Sequence, residues 1–227
     1  MSGPGVIERA SPNFNDRPPG TPIDMLVLHY TGMTRADEAL DRLCDPASQV
    51  SAHYLIDEDG TVYRLVAENR RAWHAGLALW RGQRDVNGRS IGIELANPGH
   101  EFGYRDFPTA QMAAMADLAL AILARHPIPP RNVVGHSDIA PDRKLDPGER
   151  FDWQGLAARG IGFYPASGQP AEGNVLGLLA EYGYDTGARQ VIAAFQRHFR
   201  PSRIDGEADA ETLSILGGLI AAIRRTG

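Results

Sequence analysis

Short apolar runs, each the length of one buried strand, alternate with longer amphipathic segments along the first two thirds of this chain. The runs lie at residues 25–30, 90–96 and 132–136. Residues 53–57 and 61–66 flank a Glu-Asp-Gly turn, which is the pattern of a β-hairpin. From Thr109 onward, apolar residues recur at helical spacing until His126-Pro127 ends the segment. Strands interleaved with helices predict an α/β fold with a mixed central β-sheet flanked by helices.

The 227 residues divide by composition into an arm, a large domain and a small domain. Residues 1–20 are rich in Pro, Gly, Asn and Ser, and predict an extended arm that wraps the domain or lies free. Residues 21–166 contain the predicted strands and a first helix that Thr34 would cap. Residues 167–174 are the best candidate for a linker. Residues 173–227 predict a small three-helix domain that leans on its neighbour, with helices near 175–182, 188–199 and 210–224.

The charge and cysteine content exclude several classes of protein. The net charge is −5 and no run of Lys or Arg is present, which argues against a nucleic acid or an anionic membrane surface as partner. The single cysteine, Cys44, cannot form an intrachain disulfide. No window approaches the roughly 18 apolar residues of a membrane span, and the N-terminus lacks the pattern of a signal peptide. We therefore expect a cytoplasmic protein without an obligate protein partner.

His29 and His136 each end an apolar run, and a loop with several carboxylates follows His136. Two imidazoles at strand ends and one nearby carboxylate suit an open-sided zinc site, in which three protein ligands leave one position free. Chemistry alone does not choose among Asp138, Asp142 and Asp146 as the third ligand.

The other titratable residues have less distinctive positions. Glu94 interrupts an apolar strand, where a carboxylate is costly unless it is paired or faces a cavity. A structural salt bridge is the alternative to a catalytic role. His126 is expected to cap a helix, and His100 and His198 are expected at the surface. His53 is expected to be structural, with support of the metal site as the alternative.

Five segments occur in the order typical of the zinc-dependent N-acetylmuramoyl-L-alanine amidases of type 2. This group includes the AmpD and AmiD amidases and is related to the peptidoglycan recognition proteins. The segments are LHYT at 28–31, SAHYLID at 51–57, AWHAG at 72–76, SIGIEL at 90–95 and GHSDIAPDRKLDPG at 135–148. The resemblance covers roughly residues 20–155. LAEYGY at 179–184 and AFQRHFRP at 194–201 resemble the helical peptidoglycan-binding domain that follows the catalytic domain in some members.

The resemblance implies a role for each candidate residue. Zinc would be held by His29, His136 and Asp146. Glu94 would act as the base, and the ammonium group of Lys144 would stabilise the oxyanion. Some members have a tyrosine just before the hairpin histidine, where this chain has Ala52, so the base must be Glu94.

The implied substrate is a muropeptide or peptidoglycan fragment, cleaved between the lactyl group of N-acetylmuramic acid and L-alanine. A cytoplasmic enzyme would act on the 1,6-anhydromuropeptides of cell-wall recycling. The predicted substrate-binding residues are Tyr30, Trp73, His74, Trp80 and Asn97. For Trp73 and Trp80 the alternative is a small core under a long loop. Two other functions stay open: an exported or phage-type lytic amidase, and a recognition module that binds peptidoglycan without cutting it.

Overall fold

The computed structural model of the protein describes residues 5–165, 168 and 173–226. The strands are β1 (Ile7–Glu8), β2 (Phe14–Asp16), β3 (Met25–Tyr30), β4 (Tyr54–Ile56), β5 (Val62–Arg64), β6 (Arg70–Ala72), β7 (Ser90–Leu95) and β8 (Val133–Gly135). One sheet has the strand order β1, β5, β4, β7, β3, β8, and β2 pairs separately with β6. Strands β4, β7, β3 and β8 are parallel, whereas β4 and β5 form the predicted antiparallel hairpin. The predicted mixed sheet is confirmed.

The helices flank this sheet as the sequence predicts. They are α1 (Ala36–Cys44), α2 (Val86–Arg89), α3 (Gly99–Phe102), α4 (Thr109–Arg125), α5 (His136–Ile139), α6 (Trp153–Ala158), α7 (Val175–Tyr182), α8 (Val191–Phe199) and α9 (Ala210–Thr226). The predicted Thr34 cap is wrong, because α1 begins at Ala36 and the Thr34 hydroxyl donates to the Glu38 carboxylate instead. Most of the predicted linker lies outside the described residues. Among those residues, no helix is both long and apolar enough to cross a membrane.

Alternate residues of the central strands face two different helical layers. Leu26 and Leu28 of β3 pack with Met115 of α4 on one face of the sheet. Met25 and Val27 pack on the opposite face with residues of the last three helices. Those residues are Leu178, Leu179, Phe195, Phe199, Leu216, Leu219 and Ile220. Because both faces of β3 are covered, residues 25–28 are apolar without alternation, whereas Ser90, Gly92 and Glu94 alternate with apolar residues along β7.

The described part of the N-terminal arm wraps the domain, which is one of the two arrangements left open by the sequence. β1 adds to the edge of the main sheet beside β5, and β2 pairs with β6. The guanidinium of Arg17 donates hydrogen bonds to the carbonyl oxygens of Asn87, Gly88 and Ser90. The arm is thereby fixed to the segment that leads into β7.

Candidate active site

Three neighbouring parallel strands, β7, β3 and β8, bring their carboxyl ends to the same edge of the sheet. His29 of β3 lies opposite Glu94 of β7, and Leu28 lies opposite Gly135 of β8. His136 follows Gly135 directly and therefore stands beside His29. Open α/β sheets generally bind ligands beyond the carboxyl ends of their strands, so this edge is the place to look for a site.

The side chains of His29, His136 and Asp146 meet at this edge. The His29 Nδ1, His136 Nδ1 and Asp146 Oδ2 atoms are each 3.0 Å from the other two. Ligand atoms around a tetrahedral zinc ion stand roughly 3.3 Å apart, so this triangle matches three corners of such a site. No second cluster of this kind occurs in the part of the chain that the structure describes. The three residues fit a metal ion that keeps one position open.

The protonation states of the cluster also suit a metal. Burial lowers the pKa of His29 to about 4, so its imidazole is neutral at neutral pH. Burial alone would raise the pKa of Asp146, but the charge of His136 and hydrogen bonds from His136 and His29 lower it overall. A neutral imidazole and an ionised carboxylate are the forms that coordinate metal ions.

Glu94 is the other carboxylate at this edge. Its Oε2 atom is buried and has no hydrogen-bond partner within the described residues. Burial raises the pKa of Glu94 well above its usual value, and the charge of Asp146 raises it further. The structure gives Glu94 no ion pair with any described residue, so the salt-bridge alternative is not supported. A carboxyl group with a raised pKa is suited to accept and release a proton during catalysis.

A cleft of about 730 Å³ opens over the cluster, a size typical of ligand pockets. Glu94, Lys144 and Asp146 line it beside the metal-binding edge. The charge of Lys144 is close enough to lower the pKa of Glu94 and of His29. The cleft therefore combines a metal-binding cluster, a carboxyl group that can carry a proton and a cation.

The comparisons with known proteins agree with this chemistry. The sequence model of a family described as N-acetylmuramoyl-L-alanine amidase matches residues 19–149. The chain belongs to this family. It is therefore an N-acetylmuramoyl-L-alanine amidase, and the predicted enzyme class is confirmed.

Several relatives of this amidase extend beyond the family match. The N-acetylmuramoyl-L-alanine amidase AmiD of Escherichia coli is 43% identical, over 87% of this chain and 82% of its own length. The 1,6-anhydro-N-acetylmuramyl-L-alanine amidase AmpD of Haemophilus influenzae is 35% identical, over 63% of this chain and 86% of its own length.

Two solved structures cover nearly the whole amidase. The complex of E. coli AmiD with anhydro-N-acetylmuramic acid-L-Ala-D-γ-Glu-L-Lys has a TM-score of 0.80 and 42% identity, and the match covers 90% of this chain and 91% of that one. Pseudomonas aeruginosa AmpDh3 in complex with an anhydromuramic pentapeptide has a TM-score of 0.81 and 34% identity, over 95% and 96% of the two chains. Both matches extend past residue 149 into the C-terminal helices.

Three of the residues predicted to bind substrate line the cleft of the amidase, namely Tyr30, Trp73 and His74. The Tyr30 hydroxyl is 2.9 Å from Nδ1 of His100, and the Trp73 indole N–H donates to the side chain of Asn15. Their role in substrate binding stays a prediction.

Trp80 and Asn97 were predicted to bind substrate, and the structure contradicts both. Trp80 is 0% exposed, because its ring packs edge-on against Tyr182 and Tyr184 of the C-terminal helices. Trp80 is therefore a core residue, but it belongs to the large core shared with the C-terminal helices rather than to a small core under a loop. Asn97 is 2% exposed, and its amide is occupied by the carbonyl oxygen of Arg105 and the N–H of Gly99. Neither side chain has a free polar group facing the cleft.

The predicted substrate contact at His74 stays a prediction, and the structure shows a second set of contacts for this ring. His74 is only 8% exposed, and its two ring nitrogens bind other protein atoms. Nδ1 is 3.0 Å from Nε2 of His29, and Nε2 is 3.2 Å from the hydroxyl oxygen of Ser90. His74 thus supports His29, a member of the candidate metal cluster, from behind.

The structure also shows the contacts of three other histidines, His100, His126 and His53. His100 is at the cleft, where Nε2 is 3.0 Å from the carboxylate of Glu149. His126 caps the C-terminus of α4, as predicted: its backbone N–H donates to the carbonyl oxygen of Ile122, and its Nε2 is 2.7 Å from the Glu68 carboxylate. His53 is buried, and its Nδ1 accepts from the backbone N–H of Gly92, which is a structural role.

Asp138 and Asp142, the two carboxylates that the resemblance did not select as metal ligands, contact the C-terminal part of the chain. His198 of α8 is the partner of Asp138. His198 is buried, and its Nδ1 is 2.7 Å from the carboxylate of Asp138. Asp142 accepts a hydrogen bond from the backbone N–H of Gln190. The spacing of His198 from Phe195, three residues along a helix, was the available signal that it faces the core.

Proposed function

We propose that this amidase is zinc-dependent and cleaves 1,6-anhydromuropeptides between the lactyl group of N-acetylmuramic acid and L-alanine. The observation that carries the proposal is the buried triangle of His29, His136 and Asp146 beside the unpartnered carboxyl oxygen of Glu94. The anhydromuramic peptides in the E. coli and P. aeruginosa structures support this class of substrate.

The ligand set favours zinc over the harder divalent ions. Magnesium and calcium prefer oxygen ligands, whereas two imidazole nitrogens and one carboxylate oxygen suit zinc. His29, His136 and Asp146 would hold the ion. When bound, zinc polarises the amide carbonyl and lowers the pKa of a water molecule.

Glu94 moves the proton in the proposed hydrolysis. Its carboxylate accepts a proton from the attacking water as the new C–O bond forms at the lactyl carbonyl carbon. The same carboxyl group then donates this proton to the nitrogen of L-alanine as the C–N bond breaks. The products are a lactyl carboxylate and a peptide with a free amino group. A raised pKa suits Glu94 to both steps.

Lys144 stabilises the negative charge that develops on the carbonyl oxygen. It lines the cleft two residues before Asp146, so the metal-binding loop itself places the ammonium group beside the reacting bond. A cation already in position when charge develops contributes a few kcal/mol to transition-state stabilisation. The structure gives the Lys144 ammonium no ion pair with any described residue, which leaves the group available to the substrate.

The cytoplasmic recycling role stays a prediction. An exported lytic amidase would act on intact sacculi, and a recycling enzyme would act on small soluble fragments. Fractionation of cells that express the protein at its natural level tests the location. The substrate assay below separates the two activities.

The proposal is tested with purified protein and two substrates, an anhydromuropeptide and intact sacculi. We expect release of free stem peptide from the anhydromuropeptide, loss of this activity with a chelator and its recovery with zinc. A His29→Ala, His136→Ala double variant should bind no zinc. Full activity after complete metal removal would refute the zinc assignment, and cleavage of sacculi alone would favour the lytic amidase.

A further inference from the structure

The two histidines of the metal cluster, His29 and His136, are hydrogen-bonded to the same loop. Each turns Nδ1 toward the cluster and Nε2 away from it. Nε2 of His29 is 3.0 Å from Nδ1 of His74, and Nε2 of His136 is 3.0 Å from the carbonyl oxygen of Ala75. The acceptors for both rings are therefore adjacent residues of one loop.

These contacts determine which nitrogen carries the proton. A histidine that binds a metal through Nδ1 keeps its proton on Nε2. The Nε2–H of His29 then donates to His74, and the Nε2–H of His136 donates to Ala75. Since Nδ1 of His74 is the acceptor, His74 carries its own proton on Nε2, 3.2 Å from the hydroxyl oxygen of Ser90. The Ser90 hydroxyl donates onward to a backbone carbonyl, so each donor in this chain has one acceptor.

One amide oxygen holds this loop in place. Oδ1 of Asn87 accepts the backbone N–H of His74 at 3.1 Å and that of Ala75 at 2.8 Å. Asn87 is 7% exposed and lies in α2. Arg17 of the N-terminal arm donates to the backbone carbonyl of Asn87 from the other side. The position of Asn87 thus sets the position of both acceptors.

The ring of His74 is also confined by β7. A Cβ atom at Gly92 would lie 2.5 Å from Cγ and 2.6 Å from Nδ1 of His74, a distance that real atoms do not reach. Glycine at this position lets the ring approach the strand closely enough to reach His29. The close packing fixes the orientation of the His74 ring.

We propose that Asn87 and His74 are positioning residues that orient His29 and His136 and so set the zinc affinity of the site. The inference rests on the proposed function, because it takes zinc as the metal. Asn87 acts through the two backbone N–H groups, and His74 acts through its ring. Outer partners of metal-binding histidines typically change metal affinity by 10–100-fold when they are replaced.

The test compares variants that lose the hydrogen-bond acceptor at Asn87 or His74 with variants that keep an acceptor there. Asn87→Leu and His74→Leu lose it, whereas Asn87→Asp and His74→Asn keep an oxygen near the same position. Zinc affinity is measured by competition with a chromophoric chelator, and near-UV circular dichroism checks the fold. We expect the leucine variants to bind zinc about 10–100-fold more weakly, with most of the affinity recovered in the other two.

Asn13→Leu is the matched control. Asn13 is also a buried asparagine, at 2% exposed, and its amide donates to the backbone carbonyls of Asp45 and Val50. Among the described residues, the Asn13 side chain has no hydrogen bond to the metal cluster or to the loop of His74 and Ala75. Its backbone carbonyl, which the substitution keeps, accepts from Ser51, a partner of Trp73. Loss of the side chain should therefore lower stability without changing zinc affinity. Wild-type zinc affinity in a folded Asn87→Leu variant would overturn the inference.

A measurement on the wild type keeps the inference testable if the leucine variants do not fold. Long-range ¹H–¹⁵N NMR of the zinc-loaded protein reports the tautomer of each histidine. The inference requires His29 and His136 to carry Nε2–H, and a proton on Nδ1 of either would overturn it. Absence of zinc binding by the wild type would instead refute the proposed function.

Discussion

Glu94 and Asp146 are carboxylates at one edge of the sheet, and their surroundings move their pKa values in opposite directions. Asp146 is beside two histidines and has a lowered pKa. Glu94 is half-buried, with one buried oxygen that has no described partner, and it has a raised pKa. Two carboxyl groups whose pKa values are shifted in opposite directions can take different roles at one site. Asp146 is suited to hold a cation and Glu94 to carry a proton.

Replacing Glu94 by Gln should stabilise the metal-free protein near neutral pH while it removes most of the turnover. The pKa of Glu94 is raised in the folded state, so its neutral form favours folding. Above about pH 4.3 the unfolded chain ionises freely, and wild-type stability falls as the pH rises toward the folded pKa. Gln does not ionise and avoids this loss. The gain in Tm should be absent below about pH 4 and grow toward pH 7, by about 2–4 °C per kcal/mol.

Thermal unfolding of both proteins with a chelator, at a series of pH values, measures this difference. A gain in Tm that does not change with pH would show that Glu94 is not buried in its neutral form. The kcat of the zinc-loaded Glu94→Gln variant should fall on the order of 10²-fold or more.

Lys144→Ala should lower kcat about 10²-fold and leave zinc affinity unchanged, because the ammonium group is expected to act only on the developing oxyanion. Lys144→Arg keeps the charge and should retain part of the activity. Steady-state kinetics and metal analysis of the two variants check this. Near-normal kcat in Lys144→Ala would make Lys144 an ordinary loop residue.

At the scale of elements, α5 is a short helix that carries a metal-binding histidine and depends on its neighbours. Asp138 of α5 accepts from the hydroxyl of Tyr184 at 2.7 Å, and its other oxygen is 2.7 Å from Nδ1 of His198. The same oxygen accepts the backbone N–H of Gly135. Two partners from the C-terminal helices therefore hold the helix that begins with His136.

Asp138→Ala should lower the free energy of unfolding by about 3 kcal/mol. The substitution leaves a buried hydroxyl and a buried backbone N–H without partners, at about 1–3 kcal/mol for each such group. Asp142→Ala is the control, since Asp142 is exposed and accepts only from the backbone of Gln190. Urea unfolding of the two variants measures the difference. A loss at Asp138 no larger than that at Asp142 would contradict the anchoring of α5.

At the scale of the whole molecule, the C-terminal helices and the central sheet share one hydrophobic core. Met25 and Val27 of the sheet, Trp80 of a loop and Phe195 of α8 belong to the same cluster of buried side chains. Removal of the helices would expose the part of the sheet that Met25, Val27 and Val134 form. The C-terminal helices therefore act as a structural layer of the catalytic unit, whether or not they also bind peptidoglycan.

Phe195→Ala should destabilise the entire protein by about 3–5 kcal/mol, the usual cost of removing a buried aromatic ring. Since the core is shared, calorimetry should show one transition that shifts as a whole. Leu176→Ala, at an exposed position of α7, should change little. A second transition that keeps the wild-type temperature would show that the sheet folds without the helices.

Truncation of the chain near Ser167 tests the predicted domain boundaries. We expect a shortened chain with lower Tm and a tendency to aggregate, because the apolar face of the sheet is uncovered. Sedimentation of the full protein with sacculi reports any binding to the cell wall. Unchanged stability of the shortened chain together with tight sedimentation of the full one would favour a detachable wall-binding domain.

The sequence by itself determined much of the local structure and most of the candidate metal-binding cluster. Apolar runs predict β3, β7 and β8, and helical spacing predicts α4, because these patterns follow from which faces are buried. Residues at the carboxyl ends of such strands meet at one edge when the strands are parallel neighbours, as β7, β3 and β8 are. His29, His136 and Glu94 could therefore be singled out, with the family resemblance selecting Asp146.

Only the tertiary structure decided what the remaining aromatic and polar residues do. Trp80, His74 and His198 carry groups that suit a binding site as well as a core, and a single sequence does not show which surface covers them. The C-terminal helices bury Trp80, and His198 of α8 is buried against Trp153 and Asp138. The close approach of His74 to Gly92 places the His74 ring behind His29. These contacts join residues far apart in the chain, and they depend on how the layers pack rather than on any local pattern.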